Sequence, residues 1–267
     1  MNRKVILITI IGLILSCAGV ERSTKETTVC EYTHNQKMWA LAAIGIITEM
    51  NDDRHDLLGG CEKTEENKIR VIEKLLKEWW GIEKRETLIE TLNWLDESGH
   101  RKRMYNEGKA LNELSQNEVI DVLNKYKSDK QIHQRLYEAY WGFKAYGEKS
   151  VIAWDYCRYI ALCGWGFVAG YLSEEEAWEF IMPKAIELQN SFTSWGGMAD
   201  NYLHGRAYWS WKQTVGSNMP GHKAWRALGW DKPDSPWRKY NWNMNLSCSN
   251  ANSLPPSHGG PRAAEVY

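Results

Sequence analysis

Apolar side chains recur along most of this chain three and four residues apart, the spacing of one face of an α-helix. Residues 35–50 bring Trp39, Ala43, Ile46 and Met50 to one side, and residues 64–80 do the same with Ile69, Ile72, Leu76, Trp79 and Trp80. Gly81 follows as a stop. Leu88, Leu92 and Leu95 mark a helix over residues 84–97. The next stretch, 99–108, is basic and polar between two glycines and predicts an exposed loop. Capping-box spacings then predict helix starts at Ser115 (with Glu118), Ser128 (with Gln131) and Ser173 (with Glu176). The Ser128 helix runs to about Tyr146, with Ile132, Leu136, Ala139 and Phe143 on one face. Gly170 suits a left-handed helix end. Pro183 removes one backbone hydrogen bond from the helix it interrupts. A last helix is expected from about Met198 to Lys212.

Nowhere does apolar and polar alternation persist with period two, so the pattern predicts an all-α fold. About eight helices joined by short loops make a single multi-helix domain over residues 35–242. Its C-terminal part is broken by Pro, Gly and Asn but carries Trp209, Trp211, Trp225, Trp230, Trp237 and Trp242. An irregular tryptophan-rich wrap around the helices is expected there. Residues 243–267, with Pro255-Pro256 and Gly259-Gly260, read as a disordered tail.

One segment departs from one-sided patterning. Residues 151–169 are apolar on nearly every face, which predicts a buried helix, yet they include Asp155 and Arg158. Each charge would cost about 2.5–3.5 kcal/mol near the middle of a bilayer. A core helix of a globular domain therefore fits better than a membrane span.

The N-terminus changes the setting. Arg3 and Lys4 precede an apolar run over residues 5–15, about 16 Å long as a helix and too short to span a membrane. The run ends at Ile14-Leu15-Ser16-Cys17, which resembles the lipobox of bacterial lipoproteins, although Leu15 replaces the usual small residue. The resemblance implies a signal peptide over residues 1–16 and acylation of Cys17, with durable anchoring by several acyl chains. Residues 17–34 then read as a flexible tether. The expected location is the bacterial cell envelope, with the domain facing the periplasm or exterior.

Of 267 residues, 43% are hydrophobic and 25% charged, enough for a substantial core. The formal net charge of −1 lacks the basic surplus that nucleic-acid binding requires. Tryptophan is the outlier, with 15 against 4 phenylalanines. In an oxidising compartment Cys30 and Cys61, which flank the first helix, are a candidate bridge. Cys157 and Cys163 lie about 9 Å apart along one helix, beyond disulfide reach. The pairing of Cys30, Cys61, Cys157, Cys163 and Cys248 stays open, and no Cys-x-x-Cys pattern suggests a metal site.

The most pointed candidate constellation is Asp155, Arg158 and Arg206, with Trp154, Trp195 and Tyr202 as aromatic surroundings. Two guanidinium groups beside a carboxylate can bind a small anionic ligand. The reading preferred over it is an interhelical ion-pair network that fixes helix packing. His55-Asp56 lies in a glycine-bounded turn rather than in a helix, which argues for a surface turn over a metal site. No nucleophile motif, Gly-rich phosphate loop or paired carboxylate is evident, so neither catalytic residues nor a cofactor is assigned.

The runs Trp154-Asp155-Tyr156-x-Arg158, Gly170-Tyr171-Leu172-Ser173-Glu174-Glu175-Glu176-Ala177-Trp178, Ser194-Trp195 and Asn201-Tyr202-Leu203-x-Gly205-Arg206-x-x-Trp209 resemble a bacterial family catalogued as domain of unknown function 1266. Trp79-Trp80-Gly81-Ile82 is similar to part of the same pattern. The similarity runs from about Trp39 to Trp211 and implies an all-helical bacterial domain; it carries over no catalytic residues. The expected role is a non-enzymatic binding domain of the envelope. Its partners would be the membrane, through Cys17, and a protein or small anionic ligand. The alternatives are an envelope hydrolase with a site near Asp155, Arg158 and Arg206, or a lipoprotein that neutralises a toxin. Glycan stacking on the C-terminal tryptophans is a further possibility.

Overall fold

The computed structural model describes residues 30–213 and 219–250; Cys17, the leader, most of the tether and residues 251–267 lie outside them. Residues Tyr32–Cys248 form one compact unit. The described part of a second unit is a two-residue antiparallel ribbon, β1 (Cys30–Glu31) with β2 (Ser249–Asn250), in the register Cys30↔Asn250.

Helices dominate the larger unit, as the pattern predicts. In chain order they are α1 (His34–Ala43), α2 (Gly45–Met50), α3 (Glu66–Trp80), α4 (Arg85–Glu97), α5 (Gly99–Asn112), α6 (Gln116–Lys125), α7 (Lys130–Tyr146), α8 (Ile152–Val168), α9 (Glu174–Ser191), α10 (Trp195–Trp209), α11 (Pro220–Arg226) and α12 (Pro236–Lys239). The expected first helix is thus divided at Ile44 into α1 and α2. Among the described residues no helix is long and apolar enough to cross a membrane.

α8 is the axis of the fold. Every residue in it except Phe167 is buried. Helices α3, α4, α5, α9 and α10 pack around it, together with the turn Leu58–Gly60. Fully burying a side chain such as Ile160 or Leu162 stabilises by roughly 1.5–3 kcal/mol, so a helix buried all round can accommodate its two charges. Side chains at the helix starts satisfy orphan backbone donors. Ser115 and Ser173 close the expected capping boxes, with Glu118 and Glu176 bonding back to the cap backbone. At α7 the cap is Asp129, one residue past the expected Ser128, and it accepts from the Ile132 N–H.

Residues 99–108 are the main departure: the expected loop is the first part of α5. No local side chain caps this helix. The carboxylate of Asp155, from α8, accepts the N–H groups of His100 at 3.1 Å and Arg101 at 3.0 Å instead. A cap supplied from 55 residues away leaves no local start signal.

The tryptophan-rich wrap is present as an aromatic cluster. Trp39 of α1, Trp195 of α10 and Trp242 meet with ring centroids 4.7–5.2 Å apart, and Trp237 lies 6.0 Å from Trp195. Their indole N–H groups reach backbone carbonyls: Trp39 to Asn241, Trp195 to Tyr240 and Trp237 to Ala42. Order continues beyond Trp242. Leu246 is buried, and Gln36 donates to the carbonyls of Asn245 and Ser247, so the packed region extends past the expected boundary at residue 243. The candidate Cys30–Cys61 bridge is not formed: Cys61 is a free thiol packed in the core, whereas Cys30 and Cys248 are disulfide-bonded.

Candidate functional site

Beside the buried charges of α8 lies a cavity of about 730 Å³. Helical spacing aims residues from several helices into it. Trp154, Arg158 and Trp165 come from one face of α8; Tyr202, Arg206 and Trp209 come from one face of α10. α3 contributes Trp79 and Trp80, α4 contributes Trp94 and Glu90, and α5 contributes His100. Trp154, Arg158, Trp165 and Tyr202 are buried, whereas Trp79 (69% exposed), Trp94, Trp209 and Glu90 are solvent-exposed. The cavity therefore has a buried aromatic floor, two guanidinium groups and a rim of tryptophans open to water.

Arg158 is held on two sides. Its guanidinium carbon lies 4.2 Å from the Trp154 ring centroid and 5.3 Å from that of Trp80, within cation–π range of both. Nε donates to the Trp154 carbonyl at 2.8 Å, and Nη2 donates to Asp155 Oδ1 at 2.6 Å and to His100 Nδ1 at 3.0 Å. Nη1 makes no hydrogen bond among the described residues. Desolvation lowers the pKa of Arg158, opposed by the neighbouring Asp155 carboxylate.

Asp155 itself is fully buried. Besides Arg158 and the two backbone donors of α5, its Oδ2 accepts from Arg101 Nη1 at 3.2 Å. Arg101 also donates to the carbonyls of Leu95 and Asp96, tying the end of α4 to the start of α5. A carboxylate with this many donors is paired and hydrogen-bonded, as a buried charge must be. The structure separates what the sequence groups as one lock: Asp155 pairs with Arg158 and Arg101, while Arg206 sits beside the Tyr202 hydroxyl and favours its ionised form.

His100 completes the floor. Burial, then the adjacent Arg158, lowers its pKa to about 4. The Arg158 N–H pointing at Nδ1 requires that nitrogen to be the acceptor, so the ring is neutral at pH 7. Burial also pushes the Tyr202 phenol up to about 12. The Trp154 indole N–H is buried and has no acceptor among the described residues.

The other candidates lie elsewhere. Trp195 belongs to the aromatic cluster with Trp39, Trp237 and Trp242 and does not line the cavity. His55 pairs with Glu49 at 3.1 Å and Asp56 with Arg54 at 2.8 Å, each side chain taken up by a local partner. Sequence reasoning missed His100, Arg101 and Trp94. The first two sit on the helix read as a loop, and Trp94 lies off the Leu88–Leu92–Leu95 face by which its helix was recognised. Trp79 and Trp80 were legible only as core and as family motif.

A family model described as "Protein of unknown function (DUF1266)" matches residues 75–242. The chain belongs to this family. The matched region includes α4 to α10 and reaches Trp242, so the aromatic cluster's Trp195, Trp237 and Trp242 lie within it, as does every cavity residue from α4, α5, α8 and α10. Among curated proteins, "Uncharacterized protein YbeR" of Escherichia coli (strain K12) is 26% identical over 130 residues, 49% of this chain. The match spans about half (54%) of that relative's length. No solved structure matches the chain.

Proposed function

We propose that this member of the DUF1266 family is a non-enzymatic binding domain that takes a small organic ligand into the tryptophan-walled cavity. The observation that carries the reading is the cavity's volume of about 730 Å³, within the range of small-molecule sites, together with its apolar walls and few convergent polar groups. Asp155 supports the site from behind by holding Arg158 and the start of α5. A hydrolase is less well supported. Among the described residues Glu90 is the one carboxylate lining the cavity and no serine or cysteine lines it, and the Nδ1 of His100 is occupied by Arg158.

The same proposal places the domain at the bacterial envelope, tethered through acylated Cys17. Its support is the lipobox-like Leu15-Ser16-Cys17 after a short apolar run. Labelled palmitate is expected to enter the wild-type chain and not a Cys17→Ser variant; equal labelling of both removes the tether.

Native mass spectrometry of protein equilibrated with a small-molecule extract of the host tests the binding role. A discrete bound mass is expected, and it should be lost when Trp79 and Trp94 are both replaced by Ala. A bound mass retained at full occupancy in that rim variant would exclude this cavity as the site.

A further inference from the structure

The cavity's donors are unevenly distributed, and that asymmetry points to the kind of ligand. Among the described residues two guanidinium groups line it against one carboxylate, and that carboxylate, Glu90, is on the solvent-exposed rim. Asp155 is the counter-ion of Arg158, but it is shared with Arg101 and two backbone N–H groups, so it offsets Arg158 only in part. Arg158 commits Nε and Nη2 to protein acceptors and leaves Nη1 without one. Trp154, beneath the Arg158 guanidinium, carries a buried indole N–H with no acceptor among the described residues. A buried donor without an acceptor costs roughly 1–3 kcal/mol, and a guanidinium nitrogen left unpaired at a cavity wall favours a ligand supplying oxygen acceptors. The rim is chemically different: Trp79 and Trp209 approach with ring centroids 6.3 Å apart, and Trp94 is exposed on α4.

We propose that the ligand is an organic carboxylate with a flat ring body, its carboxylate held at Arg158 beside Trp154 and its ring against the rim tryptophans. This rests on the cavity being the binding site. A carboxylate presents two coplanar oxygens to a guanidinium edge, which is the pairing Arg is built for. A dianionic phosphate monoester would bring a second charge into a mostly aromatic enclosure, where desolvation is expensive. A cation would meet Arg158 and Arg206 at close range and be repelled.

Isothermal titration of the full-length chain with three probes of one shape tests the assignment: 1-naphthoate, 1-naphthyl phosphate and the neutral 1-naphthalenemethanol. The expected result is saturable binding of naphthoate, at least tenfold tighter than the alcohol and tighter than the phosphate. Arg158→Lys should erase the preference for naphthoate over the alcohol. Trp79→Ala, at an exposed position, should weaken both by a similar factor. Because Arg158→Lys also alters the Asp155 pair, the comparison among probes on the wild-type chain decides by itself. Equal affinity for naphthoate and the alcohol would overturn the carboxylate assignment while leaving the cavity as the binding site. Tighter binding of the phosphate would also overturn it. Absence of heat from all three at millimolar concentration would overturn both this assignment and the binding role proposed for the cavity.

Discussion

Asp155 occupies the space that a side chain at Gly99 would need: a Cβ built on Gly99 would lie 2.1 Å from Asp155 Oδ2. Gly99 also has φ +52°, a left-handed conformation that L side chains avoid. The absence of a side chain there lets the α8 carboxylate reach the first N–H groups of α5. Gly99→Ala should therefore destabilise by about 3 kcal/mol or more, combining backbone strain with displacement of a buried charge. Asp155→Ala should cost about 3–5 kcal/mol, because Arg158 loses its buried counter-ion. Since the clash disappears with the carboxylate, the double variant should lose less than the sum of the two. Urea denaturation of the four proteins in the cycle measures this, and strict additivity would show that the two residues are not coupled.

The same relationship explains what the sequence hides. α8 was legible because its apolar character on all faces can only mean burial, and Asp155 and Arg158 stood out as charges needing partners. The partner helix was not legible. His100, Arg101, Lys102 and Arg103 give α5 a basic, polar start, and its cap comes from α8 rather than from a residue beside it. Local rules cannot find a long-range cap. Arg206 lines the cavity from α10 and sits beside Tyr202, four residues earlier on its own helix, rather than joining the Asp155 network. The cavity itself is a property of assembly. Trp79 and Trp209 read as ordinary amphipathic-face or wrap residues, and Trp94 as no part of an apolar face, until α3, α4 and α10 are placed around α8.

His100 makes acid sensitivity a property of the site. Its folded pKa of about 4 lies below the ordinary 6.5, so the unfolded chain binds the extra proton more readily. Above pH 6.5 both states are neutral there and His100 contributes no pH dependence. As pH falls from 6.5 to 4 the unfolded state is progressively favoured, by about 3 kcal/mol once pH is below the folded value. His100→Asn keeps an oxygen able to accept the Arg158 N–H and removes the titration. Its stability should fall less steeply than that of the wild type between pH 6.5 and 4. Parallel stability–pH curves for the two proteins would mean that His100 does not titrate in this way.

Two glycines of α10 should respond to alanine with opposite signs. An interior helical glycine usually costs about 1 kcal/mol relative to Ala, so Gly→Ala normally stabilises. Gly196 is in the first turn of α10 and the nearest atom outside the local backbone is 3.8 Å from a new Cβ, so Gly196→Ala should gain a smaller amount, about 0.5 kcal/mol, chiefly by restricting the unfolded chain. At Gly205 the new Cβ would come 2.2 Å from the Trp154 Cβ. There overpacking should reverse the sign and cost about 1–3 kcal/mol. The displaced indole is part of the cavity floor, so Gly205→Ala should also weaken any ligand that Gly196→Ala leaves unaffected. Thermal denaturation of the pair checks the sign, and a ligand titration checks the second effect.

The cysteines offer a direct probe of the core. Cys61, Cys157 and Cys163 are free and buried. Cys157 donates from Sγ to the Ala43 carbonyl at 3.3 Å, linking α8 to the end of α1. Burial raises all three thiol pKa values, which keeps the thiols protonated and unreactive at neutral pH. In a Cys17→Ser chain, Ellman's reagent should therefore find almost no fast-reacting thiol in the native protein. Three thiols should appear on unfolding in urea without reductant. Cys30 and Cys248 should add to that number only after reduction. Because labelling requires opening of the core around α8, its rate in the native protein should rise in Gly205→Ala and Asp155→Ala, in step with their loss of stability. A Cys157 that labels quickly in the folded wild type would contradict the packing of α8 against α1.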